Sequence, residues 1–228
     1  TGTMFSREYH NAVINDVSRA IQDIITVLSI TVNCKLLHIV FTSQRRDIGS
    51  YCYLIAAFAV SDLVYTCVHW IVYPIPEMYG NAFTISGHNL LRSRFGPCLY
   101  CAVYSQAVPI LIFHFLYRTL AIRSPEYLAR PAVFFGTLLV ATAMVDLDGF
   151  FVMWMLFRPD EELSAKLAPF FAGNTSVPVI HHIETAIDHV QALYWSGDTF
   201  EGPRWLNLLG ALDMAVVISG TYAIVITC

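Results

Sequence analysis

Four long stretches of this chain contain almost no charged side chains. Residues 98–117 have no Asp, Glu, Lys or Arg, and residues 51–73 have one acid, Asp62, and no base. Residues 132–157 and 205–228 also lack Lys and Arg. Each stretch has the length, about 20 residues or more, that an α-helix needs to cross about 30 Å of hydrocarbon. The pattern predicts an all-α fold, a polytopic bundle of transmembrane helices.

A fifth and weaker span lies nearer the N-terminus. Asp23 and Lys35 interrupt it, and Lys35 can extend its ammonium toward a membrane interface while its stem lies on apolar surface. The predicted spans are about 20–42, 51–73, 96–120, 132–157 and 205–228, after a segment 1–19 and with a long acidic loop over 158–204. Because proline removes a helical hydrogen bond, Pro109 is expected to kink span three.

Composition supports this reading and limits the partners. Apolar residues make up 56% of the chain and charged residues 13%, whereas soluble domains carry about 25% charged residues. Membrane lipid is therefore an expected partner. The net charge of −4 offers no basic surface, so no nucleic acid is expected to bind.

Basic residues near the span ends predict the orientation in the membrane. Two residues, Arg92 and Arg94, lie in the loop between spans two and three, whereas the loops on the opposite side carry more. Those loops and the adjoining span ends hold Arg45, Arg46, Arg118, Arg123 and Arg130. The positive-inside rule therefore places the N-terminus and the 158–204 loop outside. The sequon at Asn174 falls in that loop, which makes Asn174 a glycosylation candidate.

Three stretches of the sequence carry a family resemblance. The first contains Asn33 and the turn Ile48-Gly49-Ser50-Tyr51, the second ends span two at Pro74, and the third contains His114-Phe115-Leu116-Tyr117-Arg118. In order and spacing they resemble the nematode serpentine chemoreceptors of the Str superfamily, over about residues 30–125. Thr119 departs from the family pattern, which has a second Tyr there. The family has seven spans, so the five spans here are expected to be part of a seven-helix receptor truncated after span five.

This resemblance implies a G-protein-coupled chemosensory (olfactory) receptor. It implies a small odorant bound among the outer halves of the helices and a heterotrimeric G protein contacted at the inner end of span three. It also implies a plasma-membrane location in a sensory cilium, an extracellular segment 1–19, no catalysis and no cofactor.

The residues with candidate roles in conformational coupling or G-protein contact are Asn33, Asp62, His114, Tyr117 and Arg118. By the resemblance, Arg118 faces the inner cavity and the G protein; the alternative is an interfacial anchor beside a Tyr. Asp62 lies in the middle of span two, where a charge is costly and commonly functional. It is either a coupling position that faces Asn33 or binds a sodium ion, or a neutral Asp hydrogen-bonded to a neighbour.

A second group of polar and aromatic residues could line an outer ligand pocket. Its members are His69, Tyr73, Tyr104, Gln106, Asp146, Trp154 and Asp213. Asp146 and Asp148 are two residues apart, so they point about 200° from each other and at most one of them can face a pocket. Interhelical hydrogen bonding, or an aromatic belt at the lipid interface, is the alternative for each of these residues.

Two further patterns suggest chemistry but favour a structural interpretation. Cys98 and Cys101 are spaced as a redox pair, yet they lie on an apolar helix and are expected to be buried free thiols. The loop residues that invite a zinc interpretation are His181, His182, Glu184, Asp188 and His189. Their spacing does not match a zinc motif, so a solvated loop helix is expected and no metal site is predicted.

Other functions remain open at this point. The intramembrane acids could serve a transporter or channel; they are Asp62, Asp146, Asp148 and Asp213. No inverted repeat supports that function. A membrane-embedded enzyme has the least support, because the spans contain no paired His boxes and no Ser/His arrangement. A non-signalling truncated receptor product is a further alternative.

Overall fold

Membrane-spanning helices make up most of the part of the protein that the structure describes. The computed structural model describes residues 2–42, 51–79, 82–158, 189–193, 195–196 and 202–227. Within them, five helices are long and apolar enough to cross a membrane. Span one is Gly2–Thr42, span two Tyr51–Val72, span three the consecutive helices Phe95–Ser105 and Ala107–Arg123, span four Pro131–Met155, and span five Trp205–Thr227. The prediction of a polytopic all-α bundle is confirmed.

Span one is longer than its apolar part. Its helix begins at Gly2, whereas the stretch suited to a membrane is Asp16–Thr42. Residues 3–19 contain neither Gly nor Pro, so no residue there stops the helix from growing outward from the apolar turns. Adding a residue to an existing helix costs far less than starting a new one.

Span three is interrupted at Gln106, three residues before the proline that was predicted to kink it. Pro109 has no N–H to donate to the Ser105 carbonyl, and the first helix of the span ends at Ser105. The second helix begins at Ala107. The side-chain amide nitrogen of Gln106, Nε2, donates to the Ser61 carbonyl of span two at 3.2 Å. Gln106 therefore marks the break and also joins two spans.

A small antiparallel sheet lies in the segments predicted as loops. Strand β1 is Pro74–Tyr79, β2 is Ala82–Gly87 and β3 is His189–Leu193, in the order β1-β2-β3. The expected loop helix is wrong at His189, which pairs with Ser86 in the sheet, because β3 meets the backbone groups along the open edge of β2. The other residues of that predicted helix, and the glycosylation candidate Asn174, lie outside the described residues.

The turn after span two closes the helix. Tyr73 has a φ of 49°, in the left-handed region that few non-glycine residues adopt. The loop behind it supplies donors to the last carbonyls of the span: His88 N to Val72 O at 2.9 Å, and Leu90 N to Ile71 O at 2.9 Å. The Asn89 side chain donates to the Trp70 carbonyl at 2.7 Å. These bonds satisfy carbonyls that a helix end leaves unpaired.

The two ends of the bundle carry different groups. The hairpin end carries β1 and β2, and the arginine end carries Arg118 in the last turns of span three. At the hairpin end, Cys98 of span three packs with Val152 and Phe157 of the span four region. At the arginine end, a second apolar cluster joins spans two, three and four; its buried members are Leu54, Ile110, Phe113, Phe134 and Leu138.

Span five approaches the end of span four through a glycine. A Cβ built on Gly210 would lie 2.7 Å from Cε2 of Phe157, whereas a Cβ on Gly220 of the same span has no atom within 4 Å. Small residues commonly permit such close helix contacts in membranes.

We therefore expect Gly210→Ala to lower the free energy of unfolding by about 1–3 kcal/mol, because the added methyl group overpacks the contact with Phe157. The measurement is thermal unfolding of the chain in lipid nanodiscs, followed by intrinsic fluorescence. Gly220→Ala is the matched control and should leave stability unchanged or slightly higher. Equal effects of the two substitutions would contradict the predicted contact.

Candidate functional site

Three motif residues meet at the arginine end. The Tyr51 hydroxyl lies 3.0 Å from Nε2 of His114, within hydrogen-bond distance. The rings of Tyr51 and Tyr117 have centroids 5.3 Å apart, and Tyr117 contacts Phe134 of span four edge-on at 5.6 Å. Tyr51, His114 and Tyr117 are called the tyrosine–histidine cluster below. It joins the start of span two to the last turns of span three.

Helix geometry explains why this cluster forms and where Arg118 lies beside it. His114 and Tyr117 are three residues apart, so they share one face of span three, and Tyr51 opens span two on the facing side. Arg118 is exposed, and it has no hydrogen bond or ion pair with any residue that the structure describes. It is a free cation at this end of the bundle as far as the described residues extend.

A chain of polar side chains connects spans one and two. The Ser29 and Thr66 hydroxyls are 2.8 Å apart. Asn33 is buried, and its amide donates to the Ser29 carbonyl at 3.0 Å, one turn back along its own helix. The expected contact between Asn33 and Asp62 is not among the described hydrogen bonds. Asn33 therefore stabilises span one locally, next to the span-crossing pair.

Asp62 and His69 line a cavity between these two spans. Its volume is about 490 Å³. The side chains that line it are Gln22, Ile25, Thr26, Ser29, Asp62, Tyr65, Thr66 and His69. Every one of them except Ile25 carries a polar atom. This volume is called the span one–two cavity.

An aromatic cluster extends from Tyr65 and His69, which line this cavity, to span three. The rings of Tyr65, His69, Tyr100 and Tyr104 lie with centroids 5.6–6.3 Å apart in tilted arrangements. The Tyr65 and Tyr100 hydroxyls are 3.2 Å apart. The candidate residues His69 and Tyr104 are thus brought into one cluster, although they come from different spans.

A second cavity, of about 350 Å³, lies between spans three, four and five. Most of its lining is apolar, with Leu111, Val152 and Met214 as examples, and Tyr104 and Asp213 also line it. Asp148 of span four and Asp213 of span five both line it. This volume is called the span three–five cavity.

Of the two acids in span four, Asp148 lines this cavity and the candidate Asp146 does not. The two side chains point to different sides of the helix, as their spacing requires. One carboxylate oxygen of Asp146 is buried and has no hydrogen-bond partner among the described residues. Asp146 is therefore half-buried among the helices and lines neither cavity.

The remaining pocket candidates, Trp154 and Tyr73, contact side chains of other elements. Arg94 donates from Nη2 to the Trp154 carbonyl, and its guanidinium carbon lies 4.5 Å from the centre of the indole ring. Trp154 in turn stacks on Phe150, with centroids 5.8 Å apart and planes 11° apart. Burial lowers the pKa of Arg94. Tyr73 is contacted by the Arg19 guanidinium at 5.7 Å.

Arg94 was missed by the sequence reasoning as a site or packing residue. It is 9% exposed, and its partner lies 60 residues further along the chain. The feature of the sequence that could have indicated its role is its position directly before the apolar run of span three. The Arg94–Trp154 contact ties the start of span three to the end of span four. Cys98 and Cys101 nearby are free thiols, as expected.

Comparison with known proteins gives one family and one relative. The family model described as "Serpentine type 7TM GPCR chemoreceptor Str" matches residues 18–228. A relative from Caenorhabditis elegans, "Serpentine receptor class r-10", is 28% identical over 112 residues. That match covers 46% of this chain and 33% of the relative, so the chain matches about a third of the length of this curated relative. No solved structure matches.

The Arg94–Trp154 contact between spans three and four leads to a prediction about stability. Arg94→Lys should lower the free energy of unfolding by about 1–2 kcal/mol, because Lys keeps the charge but lacks the planar group that lies on the indole while bonding a carbonyl. Thermal unfolding in nanodiscs measures the change. Arg92→Lys, at an exposed neighbouring position, is the control and should leave the free energy of unfolding unchanged. An unchanged midpoint of thermal unfolding for Arg94→Lys would contradict a stabilising role of the Arg94–Trp154 contact.

Proposed function

Because the chain belongs to the Str family of serpentine seven-transmembrane GPCR chemoreceptors, we propose that it binds a small odorant and signals to a heterotrimeric G protein. The observation that carries the proposal is the tyrosine–histidine cluster. Tyr51 is the first residue of span two, and His114 and Tyr117 come from the end of span three. Two of the stretches that resemble the family thus meet in one contact.

The span three–five cavity suits an odorant. Pockets for small molecules are concave, mostly apolar and fitted with a few polar groups, with volumes of about 300–1,000 Å³. This cavity has a similar volume, about 350 Å³, and a mostly apolar lining that also includes Tyr104, Asp148 and Asp213. A small, largely apolar odorant can bury its hydrocarbon part there and direct one polar group toward the carboxyl pair.

The arginine end suits the G protein. A ligand shifts a receptor only if it binds one arrangement of the helices better than another. The Tyr51–His114 hydrogen bond crosses between spans two and three, so relative movement of these spans makes or breaks it. The exposed Arg118 lies one residue after Tyr117 and offers a charged donor to a partner protein or to its carbonyl groups.

The location follows from the same proposal. The family and the five apolar helices establish a membrane protein. We propose the plasma membrane of a sensory cilium, with the N-terminus and the hairpin end outside. The arginine end then faces the cytoplasm, where a heterotrimeric G protein is located, and the arginines of the short loops support this orientation.

Replacing the cluster histidine tests the proposed signalling route. We expect His114→Phe to reduce odorant-evoked G-protein activation by roughly tenfold, because the bond between spans two and three is lost while an aromatic ring of similar size remains. The measurement is nucleotide exchange on a G protein reconstituted with the receptor in vesicles, titrated with a panel of volatile odorants. His38→Phe, at an exposed position of span one, is the matched control.

Two outcomes would count against the proposal. Failure of every odorant to raise nucleotide exchange by the unaltered receptor would contradict the receptor function itself. Equal activation by the His114 and His38 variants, at equal amounts of folded receptor, would leave the receptor function standing and reject the route through the cluster.

A further inference from the structure

The short linker between spans three and four takes no part in the proposed signalling route. Residues 124–130 alone separate the two membrane helices, which end at Arg123 and begin again at Pro131. The stretches apolar enough to cross a membrane have the same two limits. Arg123 and Arg130 therefore lie at the depth of the lipid headgroups, one at each end of the linker. This segment is called the span three–four linker.

The span three–four linker has a defined backbone and a defined outer face. The Ser124 N–H donates to the Leu120 carbonyl at 2.9 Å, and the Tyr127 N–H donates to the Ser124 carbonyl at 3.2 Å. A 3₁₀ helix occupies Pro125–Ala129, and successive side chains of such a helix point about 120° apart. Leu128 packs against the apolar cluster that joins spans two, three and four. The exposed Tyr127 beside it therefore points away from the bundle.

The outer face of the linker is cationic. Arg123 and Arg130 are both exposed, and a guanidinium keeps its charge in every protein environment. Neither side chain forms a hydrogen bond or an ion pair with any residue that the structure describes. Residues 118–131 contain three arginines and one acid, Glu126. Positive charge therefore exceeds negative charge in this stretch, and anionic groups are the natural counter-charge.

Apolar side chains border this charge. Ile122 is 84% exposed and Tyr127 is 69% exposed. At a bilayer surface the acyl chains cover an isoleucine, and the headgroup region accommodates a tyrosine ring with its hydroxyl. Charged groups that suit a phosphate layer and apolar groups that suit the layer below it thus occur together in one short stretch. A phospholipid presents the same two layers.

We propose that the span three–four linker binds an anionic phospholipid of the leaflet at the arginine end. Arg123 and Arg130 donate hydrogen bonds to oxygens of the headgroup, because the planar fork of a guanidinium matches a phosphate or a carboxylate. Ile122 lies against an acyl chain, and Tyr127 lies at the level of the headgroup. The site does not require that the protein binds an odorant or couples to a G protein.

Position and charge favour a lipid over a soluble protein as the partner. The two guanidinium groups lie where the membrane helices end, so headgroups at that depth are their constant neighbours. A lipid without net charge carries an ammonium group beside its phosphate. A lipid with net negative charge therefore gains more from two arginines, each of which strengthens binding to an anionic surface by about fivefold.

Lipid affinity of the whole chain tests the proposal. The chain in a neutral detergent micelle is titrated with phosphatidylserine or with phosphatidylcholine of the same acyl chains. Native mass spectrometry then gives the dissociation constant of the first lipid bound. We expect phosphatidylserine to bind at least about tenfold more tightly than phosphatidylcholine, and this preference to weaken as salt is added.

Variants assign the binding to the linker. Arg123→Gln and Arg130→Gln should each lower the affinity for phosphatidylserine by about fivefold, and the double variant should have no preference between the lipids. Ile122→Asn should weaken both lipids equally, because it removes an acyl contact and leaves the charge. Arg92→Gln, at an exposed position of the hairpin end, is the matched control and should bind as the unaltered chain does. Circular dichroism confirms that each variant is folded.

Three outcomes would overturn the site. The first is equal affinity of the unaltered chain for the two lipids. The second is a preference for phosphatidylserine that survives in the double variant, which would place the lipid elsewhere. The third is an equal loss of preference in Arg92→Gln and in the double variant, which would show an effect of total charge alone.

Nucleotide exchange on a G protein, in vesicles of uncharged lipid, separates this site from the receptor function. A double variant that keeps its lipid preference but activates the G protein less would assign the two arginines to the protein partner and reject the lipid site. A preference for phosphatidylserine that the double variant loses, in a chain that no odorant activates, would support this site and count against the receptor function alone.

Discussion

Hydrocarbon offers no hydrogen bonds, and this constraint governs the whole molecule. Every backbone donor and acceptor at membrane depth must find a partner within the protein, so the spans are helical throughout their apolar lengths. The constraint is most visible where a helix stops. The last carbonyls of span two are met by donors from residues 88–90. These bonds fix the course of the chain from span two toward span three.

Where helices cross, close packing and polar contacts between them hold the bundle together. Lipid is as apolar as leucine, so burial of apolar surface does little to bring helices together. The close approach at Gly210, the hydroxyl pair Ser29–Thr66, and the guanidinium of Arg94 on the indole of Trp154 all act across spans. Each contact requires the distances between spans that the other contacts maintain. The cavities are the volumes that this pattern of contacts leaves unfilled.

The sequence predicted the parts of the structure that local pattern determines. The spans follow from runs of apolar residues, and the break near Pro109 follows from one missing donor, displaced to Gln106 because the lost bond is at Ser105. Strand β3 was missed because its pairing with β2 joins residues about a hundred positions apart, whereas β1 and β2 form a local hairpin. The contact of Arg94 with Trp154 was missed for the same reason. The spacing of Asp146 and Asp148 predicted that one acid at most faces a pocket, but the choice between them required the position of span five.

The break at Gln106 divides span three into two helical segments of unequal length. The segment on the hairpin side has 11 residues and the segment on the arginine side has 17, which makes them about 16 and 25 Å long. Gln106 joins span two at this junction through the Ser61 carbonyl, and its own backbone keeps right-handed helical angles. The tyrosines beside His69 and the residues at Tyr117 and Arg118 therefore lie on opposite sides of one hydrogen bond that links spans two and three.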